Sequence, residues 1–289
     1  MKITDRVYAV RHPFRLLLGE GIHVERFVYS YLIVGESICL IDTGVAATAP
    51  LILELVQSLG RTPEEISLIL LTHGHPDHMG GCGLIKSRSG ARVAVHPAEK
   101  RWVVDLQEQY RERPIPNLFE LAGEGVPVEM ELADGQRIAP EDGKAIRVIG
   151  TPGHSPGSVA FFDEADGVLF SGDAVPDEGS IPIYTDPSAL VASIGKLAGI
   201  AGVRVLLSSW HDPVIGEGIG DIMEKGRRTI ERTGAVVREI HDREPHLSGA
   251  ALSRKVLEQL GIRLPRVLFM VEAAIHSHLP RRAESGPSG

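Results

Sequence analysis

Three histidines and an aspartate fall within six residues, His73-Gly74-His75-Pro76-Asp77-His78, directly after the apolar run Ile66-Ser67-Leu68-Ile69-Leu70-Leu71. That run has the length and residue types of a buried strand. Gly74 and Pro76 forbid a smooth helix through the cluster, and Gly80-Gly81 let the backbone turn after it. The reading is a strand that ends in a loop, with its polar side chains at the strand's C-terminal end. His73 and His75 stand two apart, so in extended backbone they point the same way and can hold one ion. Asp77 and His78 follow the Pro76 bend and can be aimed at a second. Imidazole with carboxylate suits zinc, and also iron or manganese.

The same arrangement recurs along the chain. A strand at 145–149 feeds Thr151-Pro152-Gly153-His154-Ser155-Pro156-Gly157-Ser158. A hairpin over 158–170 ends in Ser171-Gly172-Asp173, and a strand at 203–207 delivers Ser208-Ser209-Trp210-His211-Asp212. Earlier, strand-like runs at 27–34 and 37–41 end in Asp42-Thr43-Gly44. Asp42 reads either as an ordinary turn or helix cap, or as an acceptor that orients a metal-bound histidine. A single histidine after a strand is usually a loop residue; repeated delivery at strand ends is what an active-site edge of a layered α/β fold looks like.

Around these motifs, residues 3–10 alternate as a strand, and 11–26, with Pro13, Gly19 and Gly21, read as a hairpin or loop carrying His12, Phe14 and His23. A helix is expected at 48–60 with Thr48 as its cap, another at 83–89, and His96-Pro97 reads as a strand exit and helix start. Residues 98–123 place Trp102, Tyr110 and Phe119 between core strands. They either cap a pocket or belong to the outer helical layer. Short strands near 129–149 are separated by Asp134-Gly135 and Asp142-Gly143 turns. Helices follow at 187–198, 217–240 and 247–260, and one at 266–279 is too apolar to stand alone. It must pack on the main body or on a partner subunit, so a homodimer through the C-terminal helices is a candidate. Residues 281–289 read as a disordered tail.

The net charge of −8 argues against a nucleic-acid binder working through its overall field. No apolar run reaches membrane-span length, and no hydrophobic leader follows Met1, so the expectation is a cytoplasmic protein with a small-molecule substrate and neither nucleic acid nor membrane as partner. Cys39 and Cys82 are too few for a disulfide framework and read as core residues.

H-x-H-x-D-H, T-P-G-H-S-P-G-S, S-G-D-A, the final histidine in S-W-H-D and the early I-D-T-G together resemble the metallo-β-lactamase-fold hydrolase superfamily, in its glyoxalase-II-like and lactonase-like branch. The resemblance implies an α/β fold, the four-layer αββα sandwich, over residues 1–215, with a helical appendage at 216–280. It implies a binuclear site, with two divalent metal ions, zinc first and iron or manganese as alternatives. His73, His75 and His154 would hold one ion, Asp77, His78 and His211 the other, and Asp173 would bridge. Asp77 would also orient the attacking hydroxide, and Asp42 would stand behind the ligands. The implied activity is hydrolysis of a small acyl substrate, a thioester first and a lactone next. A mononuclear-iron dioxygenase acting on persulfides and a non-catalytic binding protein use the same scaffold. Lys225, Arg227 and Arg228 occupy the helices that grip the thiol moiety in glyoxalase-II-type enzymes, but read here as a solvated face. Trp210 stands where that family often has glycine. Lactonases of this fold place a tyrosine soon after the bridging aspartate; here Ala174-Val175-Pro176 follow, and Tyr184 comes later.

Overall fold

The computed structural model describes residues 1–19, 21–139 and 144–280. The tail at 281–289 and the Asp142-Gly143 turn lie outside the described residues. The first sheet is built from β1 (Val7–Gly19), β2 (Ile22–Val34), β3 (Ile38–Ile41), β4 (Ile66–Leu70), β5 (Arg92–Val95) and β6 (Met130–Glu131), adjacent in that order. The second holds β7 (Arg137–Ile138), β8 (Ile146–Gly150), β9 (Val159–Asp163), β10 (Val168–Gly172), β11 (Val205–Ser208) and β12 (Val214–Ile215), again in chain order across the sheet. Both sheets are mixed: β3 through β6 run parallel, as do β10 and β11, and the remaining neighbours are antiparallel.

Period-two alternation explains the layering. Leu68 and Leu70 of β4, Val159 and Phe161 of β9, Val168 and Phe170 of β10, and Val205 and Leu207 of β11 all enter the core between the sheets. Their neighbours turn outward. Ile69 and Leu71 meet α1 (Pro50–Ser58), through Ile52 and Val56, and α3 (Cys82–Ser89), through Ile85. Ala160, Phe162, Leu169 and Leu206 meet α7 (Pro187–Ala198) through Leu190, Ile194 and Leu197. Strands buried on both faces therefore read as continuous apolar runs, and the order of layers is helix, sheet, sheet, helix. Full burial of Phe161 and Phe170 contributes about 2–3 kcal/mol each from area alone.

Between α1 and α3 lies a single turn, α2 (Pro76–Met79), which opens on Pro76 inside the histidine cluster itself. Pro is well suited to that first helical position, where an amide hydrogen has no partner to lose. Residues expected to cap a pocket or form an outer layer fold as α4 (Pro97–Val104), α5 (Leu106–Glu112) and α6 (Leu118–Ala122). His96 caps α4 with its own ring, accepting from Ala98 N at 3.2 Å, which is the structural role its place before Pro97 predicts. Cys39 and Cys82 are free and buried.

Of the two readings of 11–26, hairpin or loop, the structure has the hairpin: β1 continues through Val10 to Gly19 and pairs with β2 from Val7 opposite Ile33 to Leu17 opposite His23. Pro13 is tolerated because β1 is an edge strand, where its missing amide hydrogen costs no ladder bond. One local expectation changes. Thr48 is not the cap of α1; Ala49 holds that place, and Thr48 Oγ1 instead lies 2.9 Å from His12 Nδ1.

Past the second sheet come α8 (Gly218–Arg243), α9 (Gly249–Leu260) and α10 (Phe269–His276). The apolar face of α10 is covered within the chain: Val271 and Ile275 join Val237 and Ile240 of α8 and Leu252 and Val256 of α9. No helix among the described residues is long and apolar enough to cross a membrane.

Candidate metal centre

The C-terminal ends of β3, β4, β8, β10 and β11 lie along one edge of the sandwich and carry Asp42, His73, His154, Asp173 and His211 respectively, each within a few residues of the strand's last position. At the end of β10 the backbone turns at Gly172, whose φ of +53° puts any Cβ within 2.9 Å of Thr72. A glycine there lets Asp173 follow immediately into the site.

Two clusters form. His73, His75 and His154 bring ligand atoms within 4.8 Å of one another, and so do His73, His78 and Asp173; all five residues are buried. Asp173 faces both ways. Its Oδ2 lies 3.3 Å from His154 Nε2 and 3.9 Å from His73 Nε2, and its Oδ1 lies 3.4 Å from His78 Nε2. His154 Nε2 is 3.0 Å from His75 Nδ1. Asp77 lies at the margin, with Oδ2 3.8 Å from His78 Nε2, and falls in neither cluster. His211 also falls in neither; its Nδ1 is 2.9 Å from the Asp212 carbonyl oxygen.

Burial pushes His73 and His75 well below the ordinary imidazole range and His154 down to about 4, so these rings are held neutral, the form that can ligate. Burial acts on His78 in the same direction, but Asp173, Asp77 and Asp42 outweigh it and raise His78 well above its usual value. Burial opposes ionisation of Asp173 as well, and there His78 and His154 prevail, holding it well below the carboxylate range.

Whether a metal fits can be judged from the atoms left over. His73 Nε2, His78 Nε2, His211 Nε2 and Asp173 Oδ1 are buried without a hydrogen-bond partner. Unsatisfied buried polar atoms are costly, and those of His73, His78 and Asp173 converge onto one region. Neutral imidazoles and a carboxylate are the donors that zinc, iron and manganese take, and His78, held protonated by its three carboxylate neighbours, would give up that proton when an ion binds. The donor set fits a divalent metal.

Supporting contacts fix the donors in place. Asp42, at a φ of +56°, accepts from Thr72 N and from Thr72 Oγ1 at 2.8 Å each, and its Oδ2 lies 2.9 Å from His78 Nδ1. Thr72 Oγ1 is in turn 3.0 Å from His73 Nδ1. Trp102 stacks on His75 with centroids 6.0 Å apart, and Trp210 meets His78 edge-on at 6.4 Å.

Sequence reading passed over Glu99, which is fully buried on α4. Its Oε2 accepts from Gly74 N at 3.1 Å; its Oε1 accepts from Ser155 Oγ at 2.8 Å and Gly157 N at 2.7 Å. One carboxyl group thus ties the loop of His73 and His75 to the loop of His154. Gln109 reaches the same loop, donating to the Gly74 carbonyl. Local spacing holds no signal for either residue, because their partners lie 25 to 58 positions away.

A cavity of about 230 Å³ opens onto His75, Asp77, His154 and Asp173. Its walls are largely apolar: Phe14 from β1, Ile115 and Leu121 from the 98–123 segment, and Met270 from α10. That segment is therefore a wall of the cavity as well as an outer layer. Of the early residues grouped with Phe14, His12 is buried elsewhere against Ser30 and Thr48, and His23 is exposed near the hairpin end. Tyr184 lines the cavity, but its hydroxyl is 2.7 Å from His278 Nε2. Lys225 and Arg228 are exposed, and Arg227 pairs with Glu224 and Glu231; none of the three lines the cavity.

Facing mixed sheets with helices outside them, and a histidine–aspartate cluster at one edge, define an αββα fold with a candidate metal site. The chain belongs to the metallo-beta-lactamase superfamily, whose family model matches residues 23–217. It is 26% identical over 210 residues to the Beta-lactamase-like protein 2 homolog of Caenorhabditis elegans, covering 73% of this chain and 64% of that protein. It is 29% identical over 150 residues to the Hydroxyacylglutathione hydrolase of Cereibacter sphaeroides, covering 51% of this chain and 49% of that one. The chain thus spans less than two thirds of the length of either relative. In fold it is similar to a metallo-beta-lactamase family protein of Thermus thermophilus, with a TM-score of 0.71 at 24% identity over 96% of this chain and 92% of the other.

Proposed function

We propose that this chain is a metal-dependent hydrolase of a thioester with a small acyl group. The observation that carries the proposal is the convergence of buried, partnerless donor atoms from His73, His78 and Asp173 beside His75 and His154, at a cavity with apolar walls. The likeness to a hydroxyacylglutathione hydrolase supports a thioester as the substrate. We assign His73, His75 and His154 to one ion and His78, Asp77 and His211 to another, with Asp173 between them. Bound there, divalent ions supply Lewis acidity and a water acidified enough to react at neutral pH.

The chain's own residues do the rest. Apolar walls would exclude bulk water from a bound acyl group, leaving its carbon open to a water at the donors. Asp77, half-buried on the cavity wall, is placed to accept a proton from that water and orient it. A C–O bond forms, the C–S bond breaks, and the proton ends on the departing thiol. Asp42 and Thr72 keep His78 and His73 from rotating off their ligand positions.

A lactone is the second reading, and Tyr184 is the residue that favours it, since it lines the same cavity. The test is metal content per chain followed by a panel of thioesters and lactones. We expect metal-dependent thioester hydrolysis, lost when His75→Ala and His154→Ala are combined. Unchanged turnover in that double variant, or full activity after demetallation, would remove the metal site from the reaction.

A further inference from the structure

Two arginines line the cavity, Arg26 from β2 and Arg113 from the turn between α5 and α6. Most cations on this protein that stand near carboxylates are paired with them: Arg101 with Glu108 and Glu112, Arg227 with Glu224, Lys100 with Glu131. Among the described residues neither Arg26 nor Arg113 makes an ion pair. Arg113 Nη1 is buried with no hydrogen-bond partner, and its guanidinium sits over the Trp102 ring, 5.4 Å from the centroid. Burial draws both guanidinium groups below their ordinary range, Arg113 to about 10, while the charge of Asp77 acts on each in the opposite sense. Both therefore stand in the field of Asp77, beside the ligand loops.

Other acidic groups on the cavity lining leave this charge open. Glu25 pairs with Arg15 at 2.7 Å. Asp77 and Asp173 belong to the donor set, where bound cations would take up their charge. Asp177 is on the lining and pairs with neither arginine. Asp77, Glu99 and Asp173 act on Arg113 through their charge, but among the described residues none is in ion-pair contact with it. A guanidinium whose buried Nη1 has no hydrogen-bond partner is costly, and its planar fork matches a carboxylate. We infer that Arg26 and Arg113 form an anion subsite beside the metal donors, and that the substrate is an acidic thioester, carrying a free carboxylate in addition to the acyl group that reacts.

This inference rests on the reading that the cavity binds the substrate, so its test includes a measurement that does not need turnover. Zinc-loaded protein is given three phenyl or alkyl thioesters of equal length, with a carboxylate on the acyl chain, on the thiol, or on neither. One of the charged compounds is expected to exceed the neutral one in kcat/KM by on the order of 10- to 100-fold, mainly through KM, which is the range for one charge-assisted contact. Arg113→Met should abolish most of that ratio, and Arg113→Lys should retain part of it. Arg26→Met, on the more open side, should reduce it without threatening the buried Trp102 stack. Glutarate and butyrate binding by calorimetry read the subsite directly: glutarate should bind on the order of tenfold tighter, and Arg113→Met should remove the difference. If no thioester is turned over but glutarate still binds through Arg113, the hydrolase reading fails and the subsite stands. A charged-to-neutral ratio and a glutarate affinity that are both unchanged in Arg113→Met and Arg26→Met, with metal content and folding intact, overturn the subsite.

Discussion

Glu99 offers the sharpest test of how the metal donors are held. Its carboxyl group accepts three hydrogen bonds, one from the His73–His75 loop and two from the His154 loop, and all lie in a buried environment. In Glu99→Gln the amide oxygen can serve Ser155 Oγ and Gly157 N, but the amide NH2 then faces the Gly74 amide, donor against donor. One charge-assisted bond is lost and one buried N–H is stranded, a cost of about 2–3 kcal/mol. In Glu99→Ala both backbone amides are stranded, while Ser155 Oγ keeps Ser158 Oγ at 2.8 Å. The cost rises to roughly 3–6 kcal/mol, a large share of a domain's stability. Losing the link between two ligand loops should also loosen the donor geometry, by an amount typical of groups behind metal ligands, about 10- to 100-fold in metal affinity. Zinc affinity by competition with a chelator, alongside thermal melts with and without metal, separates the two effects. The expected order is wild type, then Gln, then Ala, in both affinity and melting temperature. Wild-type zinc affinity in Glu99→Gln together with a lowered melting temperature would refute the positioning argument and leave Glu99 a purely structural residue.

Other consequences can be checked with the same material. Asp42→Asn keeps a residue that tolerates the positive φ but removes an acceptor shared by Thr72 Oγ1 and His78 Nδ1; metal affinity should fall about tenfold or more with little change in secondary structure by circular dichroism. Gly172→Ala combines left-handed strain with a Cβ pressed against Thr72, and should lower stability by roughly 1–3 kcal/mol in urea titration, with metal content falling too. Burial holds His12 down at about 4 against an unfolded value of 6.5, so the unfolded chain binds the extra proton. The stabilisation is fully present above pH 6.5 and is lost as pH falls toward 4, by about 3 kcal/mol at most. Urea midpoints across that window should slope less steeply in His12→Gln. Chelation should lower the melting temperature in proportion to the logarithm of the metal concentration removed, because metal binds the folded state; a melting curve indifferent to chelator and to added zinc would contradict the donor assignment.

Local chemistry makes a good part of this protein legible from its residues in order. His73 and His75 share a direction because strand side chains repeat every two residues, and Pro76 and Gly80-Gly81 announce the change of backbone that follows. Burial of a strand on both faces writes itself as runs such as Ile69-Leu70-Leu71 or Val168-Leu169-Phe170, while the αββα layering is implied by the resemblance that the strand-end motifs carry. Even the role of His96 at the start of α4 comes from the proline beside it. Tertiary structure decided what depends on register between distant segments. Pro13 sits in a strand because β1 is an edge, which only sheet order reveals. Thr48 gives up the cap of α1 for His12, 36 positions earlier. The apolar side of α10 turns to α8 and α9, a choice its composition leaves equally open to another subunit. Glu99 and Arg113 carry no motif, since a carboxylate at a helix start and an arginine before a proline are ordinary surface residues until folding buries them. Their meaning comes from low dielectric and enforced proximity, which make a carboxyl group between two ligand loops a clamp and an unpaired guanidinium an open site for an anion.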